Sequence, residues 1–262
     1  MAISSFQNYI LSKNIINKSN NLFLTWGRNE NFKDNYFFDN FLKTRSDKFK
    51  SSIFFVIYLD NKLPKKIPKN VILFYKKDNS RSILFLLKKI FLLIFRYNFN
   101  IIKIFHYLSS QTIFAEIIND KILSIDKHLN FKKIIMPYEG QPYQNYIINS
   151  LNKKISNFQS IGIIHSILPA LPLNLIKREG SPKIIYVSGY SQKKILTKHL
   201  GWKDDQIFLT KSLRLNKNLD RNILGSVFFP INLENINKIV RLFENFLLNN
   251  KKKSLSLLKI RN

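Results

Sequence analysis

Three short runs rich in aliphatic and aromatic residues open the chain's pattern: Asn21 to Trp26 (NLFLTW), Ser52 to Leu59 (SIFFVIYL) and Asn70 to Tyr75 (NVILFY). Turn chemistry follows the first two, Gly27 and then DNKLPKKIPKN, and all three runs predict β-strands. The polar and aromatic stretch ENFKDNYFFDNFLKTRSDKFK between the first two predicts either a short helix or a substrate-facing loop. Ser82 to Tyr97 has helical length and few β-branched residues. Ile101 to Ile118 predicts a second helix, with apolar positions at Ile101, Ile104, Phe105 and Leu108.

Beyond these the rhythm alternates. Strands are predicted at Phe131 to Met136, Gln159 to Ile164, Pro182 to Val187 and Gln206 to Leu209, with helices at Tyr143 to Lys153 and Ser191 to Leu200. Strands alternating with helices of about 10–15 residues indicate βαβ units and a parallel sheet. Near-continuous apolar strands fit a sheet covered on both faces. The expectation is a doubly wound, mostly parallel α/β domain over residues 1–215, followed by a boundary near Arg221. Leu224 to Phe229 and Leu233 to Leu248 then predict one strand and one amphipathic helix within residues 222–262. One strand and one helix cannot bury a core of their own. They either complete the preceding sheet or begin a second α/β domain that this chain leaves unfinished.

The chemistry suggested by this layout sits after the later strands, because ligands of open α/β sheets bind beyond the carboxyl ends of the strands. Glu139 and Gln141 follow the strand ending at Met136 and immediately precede a helix; His165 and Ser166 follow the next strand. Polar groups thus converge from consecutive strand ends. Simpler roles remain open for each: Glu139 as a favourable charge at a helix start, Gln141 as a cap, His165 as a hydrogen-bonded loop residue. In VSGYSQ, Gly189 opens a helix start where backbone could approach an anion, or it serves only as a tight turn.

Composition changes the picture in one respect. Of 262 residues, 45% are hydrophobic, enough for a sizeable core, and 23% are charged. Lys and Arg number 43 against 16 Asp and Glu, a formal charge of +27. Such a surface attracts polyanions, but a Lys-, Asn-, Ile- and Phe-heavy chain with 7 Gly and 8 Pro also reads as compositional drift. There is no cysteine, hence no disulfide and no thiolate metal site. His106, His128, His165 and His199 show no metal-ligand spacing, and no GxSxG, Walker, zinc-finger or RRM signature is present. The start, MAISSFQNYILSKN, lacks the layout of a secretory signal. The longest apolar segment, Ile83 to Phe95, is interrupted by Lys88 and Lys89 and falls short of the roughly 20 residues of a membrane span. These features favour a cytoplasmic protein, with an interfacial helix at the inner face of a membrane as the second reading.

The string PYEGQPYQNYIIN, then GIIHS, a loop with Pro169 and Pro172, and SGYSQKKIL resembles a family of bacterial surface-polysaccharide (capsule or lipopolysaccharide) glycosyltransferases. The likeness runs from Asn21 to Arg214 and is strongest from Ile135 to Leu213. It rests on a Glu-x-Gln-Pro-aromatic element, here Glu139 to Tyr143, and a His-ended strand. Ile164 stands where a Gln commonly precedes that His. The resemblance implies GT-B architecture, two facing Rossmann-like domains, the first binding a saccharide or lipid-linked acceptor and the second a nucleotide-sugar donor. It implies no other cofactor. Glu139 would take the proton of the attacking hydroxyl, with Gln141 and His165 positioning acceptor hydroxyls or phosphate. Arg214 would reach the donor's diphosphate unless it is an ordinary linker cation. Two alternatives stand beside this: a non-enzymatic basic protein binding anionic membrane or nucleic acid, and an inactive gene fragment. Against specific nucleic-acid binding, the lysines are dispersed and the aromatics lie inside apolar runs.

Overall fold

The computed structural model describes residues 8–11, 19–77, 90–92, 94–95, 109–166, 172–211 and 241. The chain divides into two compact units, Met1–Arg214 and Leu215–Asn262, and every described residue except Arg241 belongs to the first. The strand expected in 222–262, the helix expected there apart from Arg241, and Arg214 lie outside the described residues. So does most of the helix expected over Ser82 to Tyr97, of which residues 90–92 and 94–95 are helical.

Eight strands form one sheet: β1 (Asn8–Leu11), β2 (Asn21–Gly27), β5 (Ser52–Tyr58), β6 (Val71–Lys77), β7 (Lys133–Pro137), β8 (Gln159–Ile163), β9 (Ile184–Val187) and β10 (Ile207–Leu209). Two more, β3 (Phe38–Asp39) and β4 (Thr44–Arg45), make a separate small hairpin. The order across the large sheet is β1-β6-β5-β2-β7-β8-β9-β10. Seven strands run parallel, and β1 joins antiparallel at the edge beside β6. Counted in chain order, the parallel strands therefore read 3-2-1-4-5-6-7. This is the doubly wound Rossmann-like order, and the chain reverses its direction of travel between β2 and β7. At that reversal the connections leave β2 and β7 on opposite sides, the position at which open α/β sheets carry their ligand crevice.

Three α-helices are described: α1 (Ser110–Leu129), α2 (Pro142–Lys154) and α3 (Tyr190–His199). All share one apolar core with the sheet. Ile118, Ile122, Ile125 and Leu129 of α1 recur at helical spacing and share a core with Ile147, Ile148 and Leu151 of α2 and with Leu22, Leu24, Phe55 and Ile134 of the sheet. Leu196 of α3 joins them through Ile185 and Val187. The opposite face is covered differently. Phe37 and Leu42, from the β2–β5 connection, pack with Phe23, Phe54, Val56, Val71 and Leu73. The stretch from Glu30 to Lys50 is thus a hairpin flanked by 3-10 turns (Asn29–Asn31 and Ser46–Lys48), and the short-helix alternative does not form. Its turn is pinned by Asp39 Oδ1, which accepts from the Phe41 and Leu42 amides at 2.8 and 3.0 Å.

Two boundaries depart from expectation. The helix read over Ile101 to Ile118 extends in the structure to Leu129. Ser109 caps its start by accepting from Thr112 N at 3.2 Å, and Asn130 ends it in the left-handed conformation at φ 54°. The four-residue strand β1 was not anticipated, since NYIL is too short to show a period. No helix among the described residues is long and apolar enough to cross a membrane.

Candidate functional site

Of the residues predicted after β7 and β8, Glu139 and His165 meet beside the switch point. Glu139 Oε1 lies 3.5 Å from His165 Nε2. The His165 side chain is 5% exposed and that of Glu139 33%, so the carboxylate is the more accessible of the two. Aromatic side chains wall the pair. Phe41, from the hairpin turn, stands edge-on to the His165 ring at 5.0 Å; Trp26, near the end of β2, meets Phe41 at 5.6 Å and Tyr143 at 5.9 Å. Burial, and then the negative charge of Glu139, pushes the Tyr143 phenol well above its ordinary value, so it stays protonated at any working pH.

The backbone that carries Glu139 is held on several sides. Pro137 ends β7, and Pro142 begins α2 at a position where the missing N–H costs nothing. Gln144, buried one turn into the helix, folds back over this link. Its Oε1 accepts from Glu139 N at 3.0 Å and Gln141 N at 3.1 Å, while its Nε2 donates to Pro137 O at 2.7 Å. The capping amide is therefore that of Gln144, three residues along, in the reach-back half of a capping box. Gly140 takes φ +68°, and a Cβ there would overlap the Asn174 carbonyl oxygen. Asn174 Nδ2 donates to Glu139 O.

Arg178 closes the arrangement from the loop after β8. Its Nη2 donates to Gly140 O at 2.9 Å and Asn174 O at 3.1 Å. With its amide oxygen turned toward Arg178, Asn145 accepts from Nη2 and Nε at 3.1 and 3.2 Å and donates to Tyr138 Oη at 2.8 Å and Gly180 O at 3.2 Å. Every donor and acceptor of that amide is then occupied, inside a region where an unpaired group is costly. Gly180 fits only because its φ of +80° and its contact with the Asn145 carbonyl leave no room for a side chain.

Ser166 contributes its backbone carbonyl, which accepts from Gln192 Nε2 at 3.1 Å. Gln192 Oε1 in turn accepts from Ser188 N at 2.9 Å and Ser188 Oγ at 3.0 Å, tying the ends of β8 and β9 together. Gly189 precedes α3 with φ −168°, an extended conformation open to any residue, and a Cβ there would meet nothing within 4 Å. Its backbone thus faces open space, and neither a strained turn nor close packing requires a glycine. Gln141 is half-buried at the helix start. Trp26, Phe41, Tyr143, Gln144, Asn145, Asn174 and Arg178 were absent from the predicted set. Only two carried a readable sign, Tyr143 as the aromatic of the Glu-x-Gln-Pro-aromatic element and Gln144 by its place three residues after the helix boundary. Among the described residues no group of three or more His, Asp or Glu is placed to hold a metal ion.

No family model matches this chain, and no curated protein or solved structure matches it either.

Proposed function

We propose that the chain is a sugar-transferring enzyme of GT-B architecture, acting in surface-carbohydrate synthesis, and that its described residues form the acceptor-binding part. The observation that carries this reading is the carboxylate–imidazole pair, Glu139 and His165 at 3.5 Å, standing in an aromatic-walled crevice at the switch point of a parallel sheet. Glu139, the more accessible member, accepts the proton of an acceptor hydroxyl. The hydroxyl oxygen bonds to the anomeric carbon of the donor, and the bond to the nucleoside diphosphate breaks with the electron pair leaving on phosphate oxygen. His165 orients the carboxylate, and Trp26 and Phe41 offer apolar surface to the carbon-bound face of a sugar ring. The donor is a nucleotide sugar and the acceptor a saccharide or lipid-linked saccharide; the excess positive charge suits work beside anionic lipid.

Acceptor binding is testable without turnover. Of the two tryptophans, Trp202 is 3% exposed and hydrogen-bonded to Leu175 O at 2.7 Å, so ligand-dependent fluorescence reports Trp26. Titration with oligosaccharides of surface polysaccharide is expected to give a saturable change that His165→Ala weakens. A flat signal across saccharides, or one indifferent to His165, contradicts acceptor binding at this crevice.

A further inference from the structure

A separate cavity of about 230 Å³ opens between the connections that follow β2 and β5, lined by Asn29, Phe32, Lys33, Asp34, Pro64, Lys65 and Lys66. None of these residues belongs to the Glu139 crevice. The two loops that form it are tied to each other. Asn29 N donates to Asp60 Oδ2 at 2.7 Å, and Lys66 Nζ donates to Asn35 Oδ1 at 3.1 Å. The first loop is braced internally by Lys33 N donating to Tyr36 O at 2.9 Å and by the Phe32–Phe37 bridge. Phe32 also packs against Phe37 and Tyr58, at ring separations of 5.0 and 5.9 Å, and Pro64 is buried. The walls are therefore set by packing before any ligand arrives.

The charge on those walls is one-sided. Three exposed lysines line one cavity against a single lining carboxylate, Asp34, while Asp60 is engaged with the Asn29 amide. Among the described residues no carboxylate stands within 4 Å of the Lys33, Lys65 or Lys66 ammonium groups. Like charges gathered from two segments repel one another, and an anion seated among them relieves that repulsion while accepting charge-assisted hydrogen bonds. The size is also informative. Pockets for drug-sized ligands begin at about 300 Å³, so this cavity suits one charged group rather than a whole nucleotide.

We propose that this cavity is an anion site for a phosphoryl group, held by Lys33, Lys65 and Lys66. The proposal stands independently of the chemistry assigned to Glu139. A phosphoryl group reaches such a site either as a free phosphate or diphosphate or as a lipid headgroup, and the two sources separate by experiment.

The competing explanation is the chain's overall charge of +27, which attracts any anion without a site. Two triple variants distinguish them. One carries Lys33→Gln, Lys65→Gln and Lys66→Gln. The other carries Lys132→Gln, Lys194→Gln and Lys198→Gln, exposed positions outside the cavity that lower the net charge equally. Binding of inorganic pyrophosphate is measured by calorimetry. Sedimentation with vesicles of four parts phosphatidylcholine to one part phosphatidylglycerol is measured in parallel, and circular dichroism verifies that both variants fold. Saturable pyrophosphate binding weakened about tenfold or more by the cavity triple, and changed less than about twofold by the remote triple, establishes a site for free phosphate. The same contrast seen only with vesicles establishes a headgroup site. Equal losses in the two triples, or no binding of either probe by the unaltered protein, overturns the proposal.

Discussion

Gln144 is the residue whose loss most directly tests how the Glu139 turn is held. Replacement by Met keeps the length and apolar body of the side chain and removes its amide. Three hydrogen bonds go with it: those to Glu139 N, Gln141 N and Pro137 O. The two amides lie in half-buried residues, where water recovers part of the loss, and each costs about 0.5–1.5 kcal/mol. The Pro137 carbonyl belongs to a buried residue and is stranded, at about 1–3 kcal/mol. The sum centres on about 4 kcal/mol, equivalent to roughly 8–16 °C in the melting temperature of a domain of this size. Urea denaturation is expected to show the midpoint falling with an unchanged slope, because the compactness of neither state is altered. Gln141→Met, at a half-buried position on the same turn, is expected to stay within about 0.5 kcal/mol. A Gln144→Met protein less than about 1 kcal/mol below the unaltered chain would refute the reasoning, since the turn would then be held by other contacts.

Three further outcomes follow from the same geometry. Gly140→Ala forces a side chain into the left-handed region and against the Asn174 carbonyl, and is expected to cost about 2–4 kcal/mol in urea denaturation, whereas Gly189→Ala, extended and facing open space, stays within about 0.5 kcal/mol. Asp39 is 0% exposed, and burial raises its pKa above 3.8 despite hydrogen bonds from the Leu42 and Phe41 amides. The stability it gives below pH 3.8 is therefore lost as pH rises through the higher folded value. Asp39→Asn is expected to match the unaltered chain near pH 3.5 and to exceed it at pH 7, and an Asn variant less stable at pH 7 contradicts this. Ile122→Ala empties a fully buried position between α1 and the sheet and is expected to cost about 2–5 kcal/mol by the same assay.

The sheet was legible because parallel strands buried on both faces leave unbroken apolar runs. Ser52 to Tyr58 is buried at all seven positions, and its boundary was predicted to within one residue. The α1 helix was misplaced because apolar residues stand on both sides of the polar run Ser109 to Thr112, and its true limits are set by Ser109 and Asn130, single residues whose capping role depends on backbone conformation. The stretch from Glu30 to Lys50 was ambiguous for a related reason. Its aromatics pack under the sheet as a hairpin, with a turn organised by the buried Asp39 carboxylate, and nothing in its composition separates that from a short helix. At the crevice, the pairing of Glu139 with His165 could be anticipated, since both follow neighbouring parallel strands. Asn174 and Arg178 could not, because they reach the same turn from 35 and 38 residues further along through contacts to backbone carbonyls, which leave no mark on spacing. Phe41 arrives from the opposite side of the switch point, where only the strand order brings it against His165.

The central claim is that Glu139 accepts a proton from a hydroxyl during sugar transfer, and its most direct measurement is transfer itself. The protein is incubated with a panel of nucleotide sugars and lipid-linked or oligosaccharide acceptors, and products are detected by mass spectrometry. The account predicts a product with at least one donor, with kcat reduced about 10²–10⁴-fold in Glu139→Gln while the fold and the Trp26 binding signal are retained. Absence of transfer across the panel, or transfer that proceeds undiminished in Glu139→Gln, contradicts it.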